Sequence, residues 1–214
     1  MIKLYSGPLS MFGAKVQIAL HEKGIEFELI MVPFTLKDRY QSRHPEVVRV
    51  NPKQQIPVLI DGDVELFDST QIFEYLEDRK PAPQLWPADI KQRAKARQLE
   101  LMSDEVLFPH VVKLMARARS AALTQMDPDA MAIVGYYSQM EGVLAGQDYL
   151  AGTFSYADIA LYMAHYFALF LGAPIPSECV RLNDWQRRVG NRDSVQRVIG
   201  PMKEYLYNNR SRDS

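Results

Sequence analysis

Two stretches of this sequence place polar groups where a helix or strand leaves its backbone unsatisfied. The first is Gly7-Pro8-Leu9-Ser10, between an apolar run, Ile2-Lys3-Leu4-Tyr5, and a helical pattern that starts near Met11. Ser10 falls at or just before the N-terminus of that helix. A hydroxyl there can cap the helix, the commonest task of serine at such a place. It can also serve chemistry, because the free amides and the helix dipole favour an anion, and a bound thiolate would gain a hydrogen bond from Ser10 as well. The second stretch is Asn51-Pro52-Lys53-Gln54-Gln55-Ile56-Pro57-Val58-Leu59, followed by Phe67-Asp68-Ser69. If the Ile56-Pro57 bond is cis, the amide and carbonyl of Ile56 turn outward and can pair with a peptide-like ligand as a neighbouring strand would. Asp68 and Ser69 open the next helix. They read either as a cap or as the grip on the amino and carboxylate ends of an amino-acid-like group.

Other chemistries find less support. The four histidines (21, 44, 110 and 165) are scattered, and none pairs with a second histidine or a carboxylate at a converging spacing, so no metal is expected. Ser6-Gly7-Pro8 has one glycine and a proline where a phosphate loop needs backbone donors. No Gly-x-Ser-x-Gly elbow occurs. Cys179 is the only cysteine, which excludes an intrachain disulfide or a cysteine cluster, and it reads as a small apolar residue.

The elements that must hold these groups fall into two unlike parts. Ile2–Tyr5 reads as a strand, Phe12, Val16, Ala19 and Leu20 as one helix face ending at Gly24, and Phe27, Leu29 and Met31 as the alternation of a second strand. The charged stretch 36–50 reads as a short irregular helix. Ile56–Ile60 and Val64–Leu66 flank Asp61-Gly62-Asp63, a tight hairpin turn. Ile72, Phe73, Tyr75 and Leu76 form a helix ending near Arg79. The order β-α-β, loop, β-β-α gives a mixed sheet with helices packed on it, an α/β layer. Prolines 81, 83 and 87 then mark a connector, which sets domains at 1–80 and 88–214.

Beyond the connector the pattern is all helical: 88–119 with a kink at Pro109, Asp127-Pro128 to about Leu144, a run from Ile159 to Leu171, then about 178–190 and 193–206. Ser155-Tyr156-Ala157-Asp158 is a capping box, with Phe154 and Ile159 as its hydrophobic staple. The run after it is apolar nearly all round and is expected at the centre of the second core.

The 25 basic and 26 acidic side chains leave a net charge of −1, which gives no reason to expect nucleic acid or an anionic membrane as partner. Basic pairs such as Arg187-Arg188, or Arg117 with Arg119, read as solvated helix faces. No apolar run approaches the ~20 residues of a membrane span. The start of the chain is too short in apolar residues for a signal peptide, so a cytoplasmic location is expected.

Taken in order, Lys3-Leu4-Tyr5-Ser6-Gly7-Pro8-Leu9-Ser10, Asn51-Pro52-x-x-Gln55-Ile56-Pro57-Val58-Leu59, Asp68-Ser69, Ser155-x-x-Asp158, and Trp185 with Arg192-Asp193-Ser194-Val195 resemble the cytosolic glutathione transferases of the serine type. The resemblance covers nearly the whole chain. It implies a thioredoxin-like N-terminal domain followed by an all-α domain, glutathione as co-substrate without a metal, and a homodimer. It implies that Ser10 is catalytic, holding the thiolate and lowering the thiol pKa from about 8.5 toward neutrality. By the same resemblance the Ile56 backbone pairs with the cysteinyl unit, Asp68 and Ser69 take the γ-glutamyl end, and Gln55 is a further contact. Serine-type members often carry a second polar or basic group after the serine; here Met11-Phe12-Gly13-Ala14-Lys15 offers only Lys15, and Ser6 or a backbone amide is the alternative helper. Arg39 or Arg43 are candidates for the glycyl end. Asp104 is a candidate to reach the partner's site in a dimer.

The implied activity is conjugation of the glutathione thiolate to small hydrophobic electrophiles, a detoxification chemistry. Leu9, Met11 and Phe12, with Phe108, Val111, Leu114 and Met115, are candidates to face the electrophile; the last four read equally as core. Two alternatives stand beside it: another glutathione-dependent reaction such as isomerisation or dehalogenation, and a non-catalytic protein-interaction module with the same fold.

Overall fold

Four strands build the sheet that carries the first of the two stretches. The computed structural model describes residues 1–35, 40, 44–117 and 127–210. These divide into two units, 1–83 with 193–214, and 84–192. In the first unit β1 (Ile2–Ser6), β2 (Phe27–Met31), β3 (Val58–Asp61) and β4 (Val64–Phe67) lie in the order β2-β1-β3-β4. β1 runs parallel to β2 and antiparallel to β3, and β3 is antiparallel to β4, so the sheet is mixed.

Strand alternation sorts the side chains onto two faces. Ile2, Leu4 and Leu59 point to one side, where they meet Val16 and Leu20 of α1 (Met11–Glu22) and Ile72 and Leu76 of α3 (Ser69–Arg79). Tyr5 and Val58 point to the other, where they meet Val47 of α2 (Pro45–Val50). Each such aliphatic side chain, fully buried, contributes about 1.5–3 kcal/mol. On β2 the alternation holds for Phe27, which packs on the α1 side, but Leu29 and Met31 are exposed because β2 is an edge of the sheet. Gly62, at φ 65°, makes the β3–β4 turn.

Lys23, just past α1, is buried outright. Its Nζ donates to the carbonyls of Lys80 (2.8 Å) and Pro83 (3.1 Å) and pairs with Glu77 at 2.5 Å, which ties the ends of α1 and α3 together. The last helix, α9 (Asp193–Arg210), runs further than the pattern 193–206 implied and groups with the first unit. Ser194 Oγ donates to Glu22 of α1 at 2.5 Å, and Tyr205 Oη donates to the Phe34 carbonyl at 2.9 Å.

The second unit is helical: α4 (Ile90–Met102), a π-helical turn (Ser103–Leu107), α5 (Phe108–Arg117), α6 (Pro128–Val143), α7 (Tyr156–Phe170) and α8 (Val180–Gly190). The bend expected at Pro109 takes the form of that π-helical turn. Proline lacks the amide and crowds the carbonyl four residues back, and widening the turn accommodates both. α7 is buried on almost every face, as its composition requires. Its capping box is present: Ser155 N and Oγ donate to one Asp158 oxygen, at 2.9 and 3.0 Å. Leu150 N and Trp185 Nε1 donate to the other, at 3.0 and 2.8 Å. Burial still pushes the Asp158 carboxyl up to about 6. Among the described residues no helix is long and apolar enough to cross a membrane.

Candidate functional site

The strand register brings the candidate residues to one end of the sheet. Tyr5 of β1 is paired with Val58 of β3, and Val58 with Phe67 of β4. Three chain segments therefore lie abreast there: Ser6-Gly7 leaving β1, Ile56-Pro57 entering β3, and Asp68-Ser69 leaving β4.

From Ser6 the chain makes one tight turn, closed by Ser10 N donating to the Gly7 carbonyl at 3.3 Å, and enters α1. Ser10 is the N-cap: buried, with extended backbone, its Oγ accepting from Gly13 N at 3.0 Å. That bond uses a lone pair and leaves the hydroxyl proton to donate elsewhere. No acidic residue lies in the first turn of α1, so the positive end of the helix dipole is not offset locally. Ser6 is fully buried beside it, its Oγ accepting from Gln17 Nε2 at 3.0 Å. The absence of a side chain at Gly13 makes the arrangement possible: a Cβ built there would collide with Ser6 Oγ and stand 3.0 Å from Ser10 Oγ.

The Ile56-Pro57 bond is cis. The ladder of β3 begins only at Val58, so the backbone of Ile56 stands outside it. The loop ahead of it is organised by Asn51, which is buried. Asn51 Oδ1 accepts from Lys53 N (2.9 Å), its Nδ2 donates to the Gln55 carbonyl (2.6 Å), and its own carbonyl accepts from Gln54 N (2.7 Å). The sequence shows Asn51 as part of the motif; its task as the brace of the loop emerges only from the contacts. Gln55 itself is exposed.

Asp68 caps α3, its Oδ1 accepting from Thr70 N (3.0 Å) and Gln71 N (3.2 Å), and it does so at φ 75°. A non-glycine residue in the left-handed region costs on the order of 1 kcal/mol or more, and such outliers gather at functional sites. Asp68 is exposed and Ser69 buried. One Asp68 oxygen makes both cap bonds, so capping and ligand binding are compatible for this pair.

Lys15, expected as the one basic helper near Ser10, is fully buried, with its Nζ 5.7 Å from the centre of the Phe12 ring. A residue that the sequence does not single out lies against the turn. The end of the Tyr40 phenol rests directly on Gly7, where a Cβ would overlap it. Of the residues considered for the electrophile, Met11, Val111 and Leu114 are core; Leu9, Phe12, Phe108 and Met115 are half-buried, and Phe108 packs on Phe167 with centroids 6.2 Å apart. Arg39, Arg43 and Arg119 lie outside the described residues.

One expectation about the histidines is corrected. His110 Nδ1 meets Asp129 Oδ1 at 2.5 Å, a pairing across nineteen residues that only tertiary packing creates. Arg117 holds Asp127 and Asp129 in the same cluster, so it is an ion-pair partner as well as a surface residue. Among the described residues no group of three or more His, Cys, Asp or Glu could hold a metal ion. Cys179 is buried, and burial pushes its thiol up, away from nucleophilic use.

Comparison with known proteins gives two family matches. Residues 4–84 match the glutathione S-transferase N-terminal domain, and residues 128–193 match the glutathione S-transferase C-terminal domain. A "Glutathione S-transferase 1" of Dianthus caryophyllus is 40% identical over 95 residues, which is 44% of this chain and 41% of that protein. The match thus spans less than half the length of that relative. A "Stringent starvation protein A homolog" of Pasteurella multocida (strain Pm70) is 28% identical over 204 residues, 94% of this chain and 91% of that protein. Among solved structures, glutathione transferase F7 from Populus trichocarpa superposes with a TM-score of 0.79 at 23% identity, over 94% of this chain and 99% of that one. At that identity the likeness concerns the fold.

Proposed function

Because this chain belongs to the glutathione S-transferase family, we propose that it binds glutathione at the end of the sheet where Ser10, Ile56 and Asp68-Ser69 meet, and transfers its sulfur to small hydrophobic electrophiles. The observation that carries this reading is the juxtaposition of those three segments with a helix N-terminus that has no acid in its first turn. In it, residues 1–80 form the glutathione-binding domain and 88–214 the helical one. The backbone of Ile56 pairs with the cysteinyl unit, Asp68 and Ser69 hold the γ-glutamyl end, and Gln55 adds a side-chain contact. Ser10 donates to the sulfur, and the amides of α1 favour the thiolate over the thiol. The thiol proton leaves to solvent. The sulfur lone pair forms a bond to the electrophilic carbon, and with a chloronitroaromatic the carbon–chlorine bond breaks and chloride departs. A homodimer is part of the reading, supported by the exposed apolar residues Leu101, Val106 and Val112 on α4, the π-helical turn and α5. So are a cytoplasmic location and a detoxifying role.

Calorimetry with glutathione, followed by turnover of a chloronitroaromatic, tests the proposal. Binding with turnover is expected. Binding with halide release or isomerisation of other substrates instead would move the chain to a different glutathione-dependent reaction. A second reading, a non-catalytic interaction module, is favoured by the nearly full-length match to the stringent starvation protein A homologue. Absence of glutathione binding would decide for it.

A further inference from the structure

The hydroxyl of Tyr40 lies beside the Gly7–Ser10 turn, at Gly7. Its oxygen is buried, and no hydrogen-bond partner completes it among the described residues. The Leu9 backbone amide lies toward it and favours its ionised form, but the effect is smaller than that of burial, which pushes the phenol well above its ordinary pKa. Tyr40 therefore stays protonated. Among the described residues it is a buried O–H without an acceptor, and such a donor is costly until something accepts from it.

Its position is held from two sides. The Tyr40 ring packs on Phe34 with centroids 4.7 Å apart, and Phe34 in turn meets Tyr205 of α9 edge-on at 6.1 Å. Tyr205 Oη anchors the Phe34 carbonyl at 2.9 Å, and Tyr205 is also the ionisable group that bears on the Tyr40 phenol. On the other side the phenol end rests on Gly7, the first residue of the turn that Ser10 closes. A larger residue at position 7 would expel it. The start and end of that four-residue turn are less than about 7 Å apart by construction.

Resting on the glutathione reading above, we infer that Tyr40 is a second donor to the glutathione sulfur, its O–H reaching the thiolate from across the Gly7–Ser10 turn. It would supply the polar group that the run Met11–Lys15 lacks. Two donors to one thiolate explain how a serine alone need not carry the activation, since hydrogen bonds to the charged form lower a pKa together.

The test uses the full chain and two variants. Tyr40→Phe keeps the ring and its packing on Phe34 and removes only the hydroxyl. Gly7→Ala keeps the hydroxyl and displaces it. Thiolate absorbance of the glutathione-saturated protein is followed against pH. In both variants the bound thiol should titrate about one unit higher than in the parent, with about a tenfold loss of kcat/KM at acid pH and less than about a twofold change in the KM for glutathione. The double variant should add little to either, since both act through one hydroxyl. An unshifted titration in Tyr40→Phe, with the parent binding glutathione normally, would overturn the inference and leave the transferase reading standing. A parent that binds no glutathione would overturn both.

Discussion

Two helices of this protein begin with a serine cap, and they use it in opposite ways. At α7 the cap is closed. Asp158 sits three residues after Ser155, and its two oxygens take four buried donors, from Ser155 N, Ser155 Oγ, Leu150 N and Trp185 Nε1. At α1 the cap is open. Ser10 accepts one bond from Gly13 N, no carboxylate follows in the first turn, and the hydroxyl proton remains to be given. The same local signal thus serves stability where an acid completes it and chemistry where the acid is missing. The contrast explains why position alone could not assign Ser10, and it predicts that substitutions at the two caps fall on different measurements.

The largest effect belongs to the closed cap. Asp158→Ala strips the acceptor from four buried donors, and even with the cost of burying a charge relieved, the chain should lose about 3–5 kcal/mol of stability. Denaturant unfolding would measure it. A loss below about 1 kcal/mol would mean that water or rearrangement satisfies those donors and that the carboxylate does not close the cap.

Next comes the pH dependence of the same group. Burial raises the Asp158 carboxyl from its ordinary 3.8 to about 6. A carboxyl held above its unfolded value binds its proton more tightly in the folded chain. Its contribution to stability is therefore full below pH 3.8 and is lost as the pH rises through about 6. Asp158→Asn, which cannot titrate, supplies the baseline. The stability advantage of the parent over this variant should be larger at pH 4 than at pH 7 by about 2 kcal/mol, other carboxylates cancelling between the two. A gap that stays constant or widens toward neutral pH would show that the four donors outweigh desolvation and keep the carboxylate charged throughout.

The closed cap was also the more legible of the two in the sequence. Ser155-x-x-Asp158 before an apolar run has a single local meaning, and the hairpin at Asp61-Gly62-Asp63 and the stop at Gly24 are equally local. The mixed sheet followed from the order of such signals. What escaped depends on contacts between distant residues. Leu29 and Met31 alternate as a buried strand would, yet β2 is an edge and they are exposed. Tyr40 reaches Gly7 across more than thirty positions, through a stretch whose pattern is ambiguous. His110 finds Asp129 only because α5 and α6 pack. The π-helical turn ahead of Pro109 answers a clash that the sequence announces, but in a form it does not specify. At the candidate site the residue types were readable, while the bracing by Asn51 and the crowding of Ser6 against Gly13 required the fold.

The smallest stability effect, and the one that bears most on function, is at the open cap. Ser10→Ala removes one cap bond, which is worth about 1 kcal/mol of stability, but in the proposed reaction it also removes a donor to the thiolate and should lower kcat/KM about a hundredfold. Ser10→Asp separates the two roles. Aspartate caps as well as serine and suits the helix dipole, so the stability of the parent should be retained or slightly exceeded. Its carboxylate, however, places a negative charge where the sulfur must ionise, and the bound thiol should titrate at higher pH than in Ser10→Ala. The Asp variant would then be the more stable protein and the poorer enzyme, reproducing at α1 the closed arrangement of α7. Thermal unfolding beside a pH titration of the glutathione complex reads both at once. If Ser10→Asp and Ser10→Ala lost stability and activity in proportion, the open cap would be doing no more than Ser155 does.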